Sequence, residues 1–87
     1  MTPKILESLR YRYPVGCRVE LTHMNDPFNT TLFPGERGTV VHVDDIGTIH
    51  VKWDCGSSLG VVYGEDSCKR IDEYKRSIGY ENVVIRR

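Results

Sequence analysis

Apolar and polar residues alternate in an early segment of the chain, Arg18–His23. This alternation predicts a strand that is buried on one face. The residues before it follow a different pattern, since Thr2 can cap a helix that begins at Pro3, and apolar residues then recur at helical spacing. That helix is expected to end before Pro14 and to cover the core rather than to carry chemistry.

Two apolar segments in the centre of the chain, 39–43 and 48–53, predict a hairpin. The turn between them contains Gly47, which can take the left-handed conformation that a three-residue turn requires. In that register Val41 lies opposite Val51, and the apolar residues of both strands share one face. The residues expected in the core of the fold are Val19, Leu21, Val41, Val43, Ile49, Val51, Trp53, Leu59 and Val61.

The remaining pattern completes the predicted sheet. A second three-residue turn at 54–56 leads into a strand that ends near Tyr63, and a further strand follows at 68–71. Between the first two strands lies a long segment, 24–35, that is rich in turn-forming residues and reads as an irregular loop. Five short strands and one long loop predict a mainly β fold, a small, partly open barrel with a short N-terminal helix and a C-terminal extension.

A chain of 87 residues has room for one domain. We expect an N-terminal helix at 1–13, the barrel at 14–71 and a C-terminal tail at 72–87. Within the tail, Asp72 can cap a helical turn, and 82–86 has the β-branched character of a strand. The tail is therefore expected to add an edge strand to the sheet or to pair with a second copy of the chain, which would make a homo-oligomer.

The charge is balanced overall, with 12 basic and 12 acidic residues, but it is unevenly distributed. Residues 1–19 and 67–87 each sum to +3, whereas 20–66 sum to −6. A central region of this sign repels phosphate backbones and attracts cationic surfaces. We therefore predict a binding module without catalytic residues, whose partner is a protein with a basic surface. The contacts are assigned to the long loop and the turns, at Met24, Asp26, Phe28, Asp44, Asp45 and Asp54.

A small-molecule ligand such as a nucleotide is a second hypothesis. In the predicted register His42 lies opposite His50 on the outer face, and a glycine beside His50 would leave room for a ligand. The glycines and serines of 54–60 expose N–H groups and hydroxyls that can hold an anion. The ligand residues in this hypothesis are His42, His50, Trp53, Ser57, Ser58 and Gly60.

Other chemistries have less support from the residues. Two imidazoles and a nearby carboxylate fall short of the four ligands of a structural zinc site, so neither a metal nor a cofactor is predicted. Asp44 and Asp45 are adjacent in a turn and their side chains diverge, and no nucleophile–base set is placed by spacing, so no enzyme is expected. Nucleic-acid binding is a third hypothesis, through Arg10, Arg12, Lys69, Arg70, Lys75, Arg76, Arg86 and Arg87.

The expected location is the cytoplasm. No apolar stretch reaches the length of about 18 residues that a membrane span needs. The first residues carry Lys4, Glu7 and Arg10 without an apolar region, so no signal peptide is predicted. The cysteines lack the spacing of a disulfide framework or a metal site, and Cys17, Cys55 and Cys68 are expected to be reduced.

A set of short motifs resembles a family of domains of unknown function that phages, prophages and conjugative elements of Gram-positive bacteria carry. The resemblance covers about residues 11–71 and implies an SH3-like barrel with no established activity. Members more often have Asn at the position of Cys55, which speaks against a chemical role for this thiol. The motifs are Pro14-Val-Gly16, Arg18-Val-Glu-Leu21, Met24-Asn-Asp-Pro27, Pro34-Gly35, Gly38-Thr-Val40, Val43-Asp-Asp45, Gly47-Thr-Ile-His-Val51, Trp53-Asp54, Gly56-Ser-Ser-Leu-Gly60 and Gly64-Glu-Asp66.

A second similarity is to the SH3-like repeats of some eukaryotic ubiquitin ligases, which bind peptides on the barrel surface. It rests on Val51-Lys-Trp-Asp54, Gly56-Ser57 and Tyr63-Gly64. With the acidic centre and the long loop, the resemblance to mobile-element proteins leads to the hypothesis of a protein of the bacterial host cytoplasm that binds and inhibits a host protein, one that handles nucleic acid or acts in defence. The nucleotide hypothesis would then mean the capture of an immune signal of the host.

Overall fold

One antiparallel sheet, preceded by a helix, makes up residues 1–72, the part of the chain that the computed structural model describes. The strands follow the order β4-β3-β2-β1-β5, so that consecutive strands are neighbours except for β5, which returns to pair with β1. The elements are α1 (Pro3–Arg12), β1 (Arg18–His23), β2 (Arg37–Val43), β3 (Thr48–Trp53), β4 (Val61–Val62) and β5 (Ser67–Arg70).

The sheet order confirms the mainly β fold with a short N-terminal helix. The sheet has five strands, and over the described residues it stays open between its end strands β4 and β5, as in a partly open barrel. Only the first residue of the predicted tail, Asp72, is described, and its carboxylate accepts a hydrogen bond from the N–H of Arg18 at 3.1 Å. The strand character at 82–86 lies outside the described residues.

The helix begins and ends where the sequence predicts. The Thr2 hydroxyl accepts a hydrogen bond from the N–H of Ile5 at 3.3 Å, which satisfies one of the free N–H groups of the first turn. At the other end of the helix, Arg10 donates through Nε and Nη2 to the carbonyl of Val43, at 3.2 and 3.1 Å. Its Nη2 also lies 2.8 Å from Asp45 Oδ1, so the helix is fixed to the end of β2 and the turn that follows.

The register of the central hairpin is right at its turn and wrong beyond it. His42 pairs with His50 as predicted, but a β-bulge then places Val40, rather than Val41, opposite Val51. Val40 is 1% exposed and Val41 is 53% exposed, so the prediction of Val41 in the core is wrong. The physical reason is the extra residue of the bulge, which reverses the face on which the preceding residues of β2 stand.

The rest of the predicted core is confirmed, with Leu59 only half-buried but packed against it. The long loop contributes a core residue that the pattern did not reveal, because Leu32 has no exposed surface. Further buried residues come from the helix, from the segment after it and from β2. The core consists of Leu9, Tyr13, Cys17, Val19, Leu21, Leu32, Val40, Val43, Ile49, Val51, Trp53 and Val61.

Candidate binding site

The long loop between β1 and β2 is held in place by its own side chains. Asn29 Oδ1 accepts hydrogen bonds from the N–H groups of Thr31 and Leu32, and its Nδ2 donates to the carbonyl of Leu32. Asp26 Oδ1 accepts from the N–H of Phe28 at 2.9 Å. The buried Leu32 side chain therefore anchors a loop that leaves the ring of Phe28 88% exposed.

A groove of about 330 Å³ lies between the start of this loop and the turn that joins β4 to β5. We call it the loop–turn groove. One wall is the loop at 24–27, the other is the turn with the end of β4, and the outer face of β3 and the segment before β4 complete the lining. It is lined by Met24, Asn25, Asp26, Pro27, Thr48, Leu59, Gly60, Val62, Glu65 and Asp66.

Three carboxylates line this groove, at Asp26, Glu65 and Asp66. Within residues 1–72 none of the three forms an ion pair. Asp66 accepts hydrogen bonds from the N–H groups of Asn25 and Val62, at 2.7 and 2.9 Å, and Glu65 Oε1 accepts from Asn25 Nδ2 at 3.1 Å. The groove therefore combines apolar side chains with negative charge that no cation of the described chain neutralises.

The other predicted acidic contacts lie elsewhere and are mostly paired. Asp45 forms its ion pair with Arg10, at the turn between β2 and β3. Asp54 follows the C-terminal end of β3, and its carboxylate accepts hydrogen bonds from both terminal nitrogens of Arg18, at 3.0 and 2.6 Å. This hydrogen bonding from Arg18 holds the pKa of Asp54 below its usual value. The structure thus places Met24 and Asp26 in the loop–turn groove and these two aspartates outside it.

Asp44 belongs to the β2–β3 turn and to the histidine pair. Its carboxylate accepts hydrogen bonds from the N–H groups of Ile46 and Thr48 and lies 2.8 Å from His50 Nε2. The pKa of Asp44 lies below its usual value. The largest cause is the hydrogen bond with His50, and the hydrogen bonds from the turn N–H groups add to it. The rings of His42 and His50 stack with their centroids 5.8 Å apart, so the outward histidine row that the sequence predicted is present.

The room expected beside His50 is already filled. A Cβ at Gly60 would stand 2.5 Å from Thr48 Cγ2 and 3.5 Å from the carbonyl of Ile49. Glycine is therefore needed at this position for the close approach of the chain to β3, and the space that its missing side chain leaves is taken by Thr48.

The structure does not bring the other proposed ligand residues together with the histidines. Trp53 is 2% exposed on the inner face, where its indole N–H donates to the carbonyl of Leu59 at 2.8 Å. His50 stands on the outer face, because side chains alternate along a strand. Ser57 lies next to Trp53, where its carbonyl accepts a hydrogen bond from the backbone N–H of Trp53 at 3.3 Å, and its hydroxyl accepts one from the backbone N–H of Leu59.

The basic residues proposed for nucleic acid are largely engaged where the structure describes them. Besides Arg10, Lys69 lies 3.8 Å from Glu20 and Arg70 lies 2.6 Å from Asp72. Lys75, Arg76, Arg86 and Arg87 lie outside the described residues. No group of three His, Cys, Asp or Glu side chains in the described part is placed to hold a metal ion. None of its helices is long and apolar enough to cross a membrane.

Sequence reasoning missed one wall of the groove. Glu65, Asp66 and Val62 were not proposed as contacts. The available signal was that these two acids belong to the acidic central region and stand next to each other in a turn. Nothing in the sequence showed that this turn lies beside the loop that precedes it by 40 residues.

The fold and the groove define a small, mainly β domain with an open, acidic groove on one side. Residues 2–71 match the family described as "Domain of unknown function (DUF4314)", and the chain belongs to that family. The predicted membership of a family of domains of unknown function is thereby confirmed. No curated protein and no solved structure matched the chain.

Proposed function

We propose that this chain is a protein-binding module, without catalytic function, that takes a basic, extended segment of a partner protein into the loop–turn groove. The observation that carries the proposal is the set of groove carboxylates, Asp26, Glu65 and Asp66, which no cation of residues 1–72 pairs with. Extended segments suit grooves of this kind on small β domains, where alternate side chains enter the groove.

Lysine and arginine fit both features of the groove lining. Their aliphatic stems can pack along apolar surface while the charged group reaches carboxylates at the edge. Met24, Leu59 and Val62 provide the apolar surface, and Asp26 and Glu65 provide carboxylates on the two walls. Asp45 and Asp54 are paired with arginines, whereas the groove brings together three carboxylates that form no ion pair within residues 1–72, and such a cluster attracts a cationic partner.

Exposed aromatic side chains of the long loop support a protein partner. Phe28 belongs to the same loop as the groove wall, and Phe33, also in the loop, is 54% exposed. Large apolar side chains in such positions often become central contacts when a partner covers them. A partner segment in the groove would continue over the loop and cover part of this surface.

The resemblance to proteins of phages and other mobile elements supports a wider proposal about the partner. The partner would be a host protein, one that handles nucleic acid or acts in defence, and binding would mask its basic surface in the bacterial cytoplasm. An acidic groove is complementary to such a surface, since proteins that hold nucleic acid carry clustered lysine and arginine.

The binding proposal is tested with a fluorescently labelled peptide of alternating arginine and leucine, with alternating glutamate and leucine as the control peptide. Glu65→Lys reverses a charge inside the groove, and Glu7→Lys makes the same change on the exposed side of the helix. We expect only the basic peptide to bind. Glu65→Lys should weaken its binding about tenfold or more, whereas Glu7→Lys should change it less than about twofold. Equal binding of both peptides, or equal effects of both variants, would refute the proposal.

The stacked histidines favour a second candidate function, the binding of a planar ligand such as a nucleotide base. His42 is exposed, and its ring stacks on that of His50 with the two ring planes 23° apart. The negative charge of Asp44 beside His50 would repel the phosphates of a nucleotide, so the base is the part of the ligand that the histidines would bind. A thermal-shift measurement against a panel of nucleotides tests this function, since a ligand that binds only the folded state raises the melting temperature. The absence of any shift at high concentration would exclude it.

A further inference from the structure

Asp66 stands where the two walls of the loop–turn groove meet. Its Oδ1 accepts a hydrogen bond from the N–H of Asn25, in the loop wall, at 2.7 Å. Its Oδ2 accepts from the N–H of Val62, in the wall formed by β4, at 2.9 Å. One carboxylate therefore joins two backbone segments that belong to opposite sides of the groove.

The β4–β5 turn has backbone support of its own. The N–H groups of Glu65 and Asp66 both donate to the carbonyl of Val62, at 3.0 and 2.9 Å. A further bond between the walls, from Asn25 Nδ2 to Glu65 Oε1 at 3.1 Å, joins two exposed side chains. The Asn25–Glu65 bond joins the ends of two side chains, whereas Asp66 holds backbone N–H groups. Beyond the pairing of β1 with β5 at His23 and Ser67, the Asp66 carboxylate is therefore the side chain that fixes the backbone of both walls.

We infer that Asp66 is a positioning residue, which holds the walls of the loop–turn groove together so that Asp26 and Glu65 face the same bound segment. Both oxygens of Asp66 are occupied by backbone N–H groups, so its role toward a cation is indirect. A groove whose walls are already fixed loses less conformational entropy on binding, and this preorganisation raises affinity. The effect of Asp66 on binding rests on the proposed function, whereas its effect on the groove walls can be measured without any ligand.

Asp66→Asn is the informative variant, because it keeps the shape of the side chain but replaces one acceptor oxygen with an NH₂ group that cannot accept. One of the two N–H groups then loses its partner. Glu65→Gln is the matched control, since it removes the same charge from the neighbouring residue and leaves both backbone bonds of Asp66 intact. Amide hydrogen exchange at Asn25 and Val62 reports the fixing of the walls, and the amide of Val51 in β3 reports global stability.

We expect Asp66→Asn to speed exchange at Asn25 or Val62 by about tenfold relative to Val51, and Glu65→Gln to change it less than about twofold. Binding of the arginine–leucine peptide should weaken at least as much in Asp66→Asn as in Glu65→Gln, although Asp66 makes no direct contact with the cation. Unchanged exchange in Asp66→Asn would overturn the inference, as would faster exchange with a loss of binding smaller than that in Glu65→Gln. If the wild-type protein binds no basic peptide, the proposed function fails and the binding role of Asp66 fails with it, whereas the exchange data still decide whether Asp66 holds the walls.

Discussion

Replacing Val40 with alanine is expected to destabilise the protein far more than the same replacement at Val41. The bulge in β2 places the two valines in opposite environments, with Val40 1% exposed in the core and Val41 53% exposed. Removing two buried methyl groups costs about 1.6 kcal/mol at roughly 0.8 kcal/mol per carbon. The cavity that remains adds on the order of 1 kcal/mol, so Val40→Ala should lower the free energy of unfolding by about 2–3 kcal/mol.

Val41→Ala removes methyl groups that are already half in water, and its expected cost is about 0.5 kcal/mol. Domains of this size have free energies of unfolding on the order of 4–13 kcal/mol, so the loss at Val40 is a large share of the total. In thermal terms it corresponds to a fall in melting temperature of roughly 10–20 °C, against a few degrees for Val41→Ala.

Urea denaturation, followed by the fluorescence of the buried Trp53, measures both free energies on the same protein. Wild-type m-values in both variants would show that the native and denatured states keep their compactness. If Val41→Ala is the more destabilising variant, the bulge is misplaced, and the outer face that carries His42 has to be redrawn with it. Equal losses from both substitutions would also contradict the reasoning, because a buried valine and a half-exposed valine should differ in cost.

Three further predictions concern the contacts around the sheet. Arg10→Ala should lower the free energy of unfolding by about 1–2 kcal/mol in urea denaturation, since it removes charged hydrogen bonds to a carbonyl of β2, and a change close to zero would contradict this. The lowered pKa of Asp44, caused first by the His50 hydrogen bond, contributes stability above the unfolded-state value of about 4 that is lost as pH falls through the lower folded-state pKa. The melting temperatures of wild type and Asp44→Asn should therefore differ at neutral pH and converge in acid, and a gap that persists in acid would refute the assignment. Burial raises the pKa of the Cys68 thiol to about 11, so iodoacetamide at neutral pH should alkylate the exposed Cys55 first, and mass spectrometry that finds Cys68 modified first would show the burial to be wrong.

The strands and turns could be predicted because their causes are local. Gly47 has a φ of 86°, the left-handed conformation that the three-residue turn requires, and this fixes the start of the central hairpin.

The inner face of β2 could not be predicted in the same way. Val40 and Val41 are adjacent, so alternation alone fits either of them to the inner face. The choice depends on a contact from another part of the chain, since Val40 exchanges backbone hydrogen bonds with Gly16 and Cys17. A local pattern carries no information about that partner.

The groove was hidden for a related reason. Met24 and Asp26 were recognised as contacts because a long loop with acidic and apolar residues is typical of binding sites. Their neighbours across the groove, Glu65 and Asp66, approach only because β5 returns to pair with β1, with Leu21 opposite Cys68. Strand order between distant segments is set by packing of the whole sheet, and hydrophobic alternation within each strand is compatible with several orders.

Charge shows most clearly what the fold adds to the sequence. Counted along the chain, the centre is strongly acidic and both ends are basic, which suggested a broad acidic surface. In the folded protein Arg10 and Arg18, from the basic N-terminal part, pair with Asp45 and Asp54 of the acidic centre. Exposed pairs of this kind contribute little to stability, but they cancel the local field that a partner would meet. The loop–turn groove brings together three acids of the centre that form no ion pair within residues 1–72, and a charge-reversal experiment aimed at Glu65 is therefore a sharper test of function than one aimed at the acidic centre as a whole.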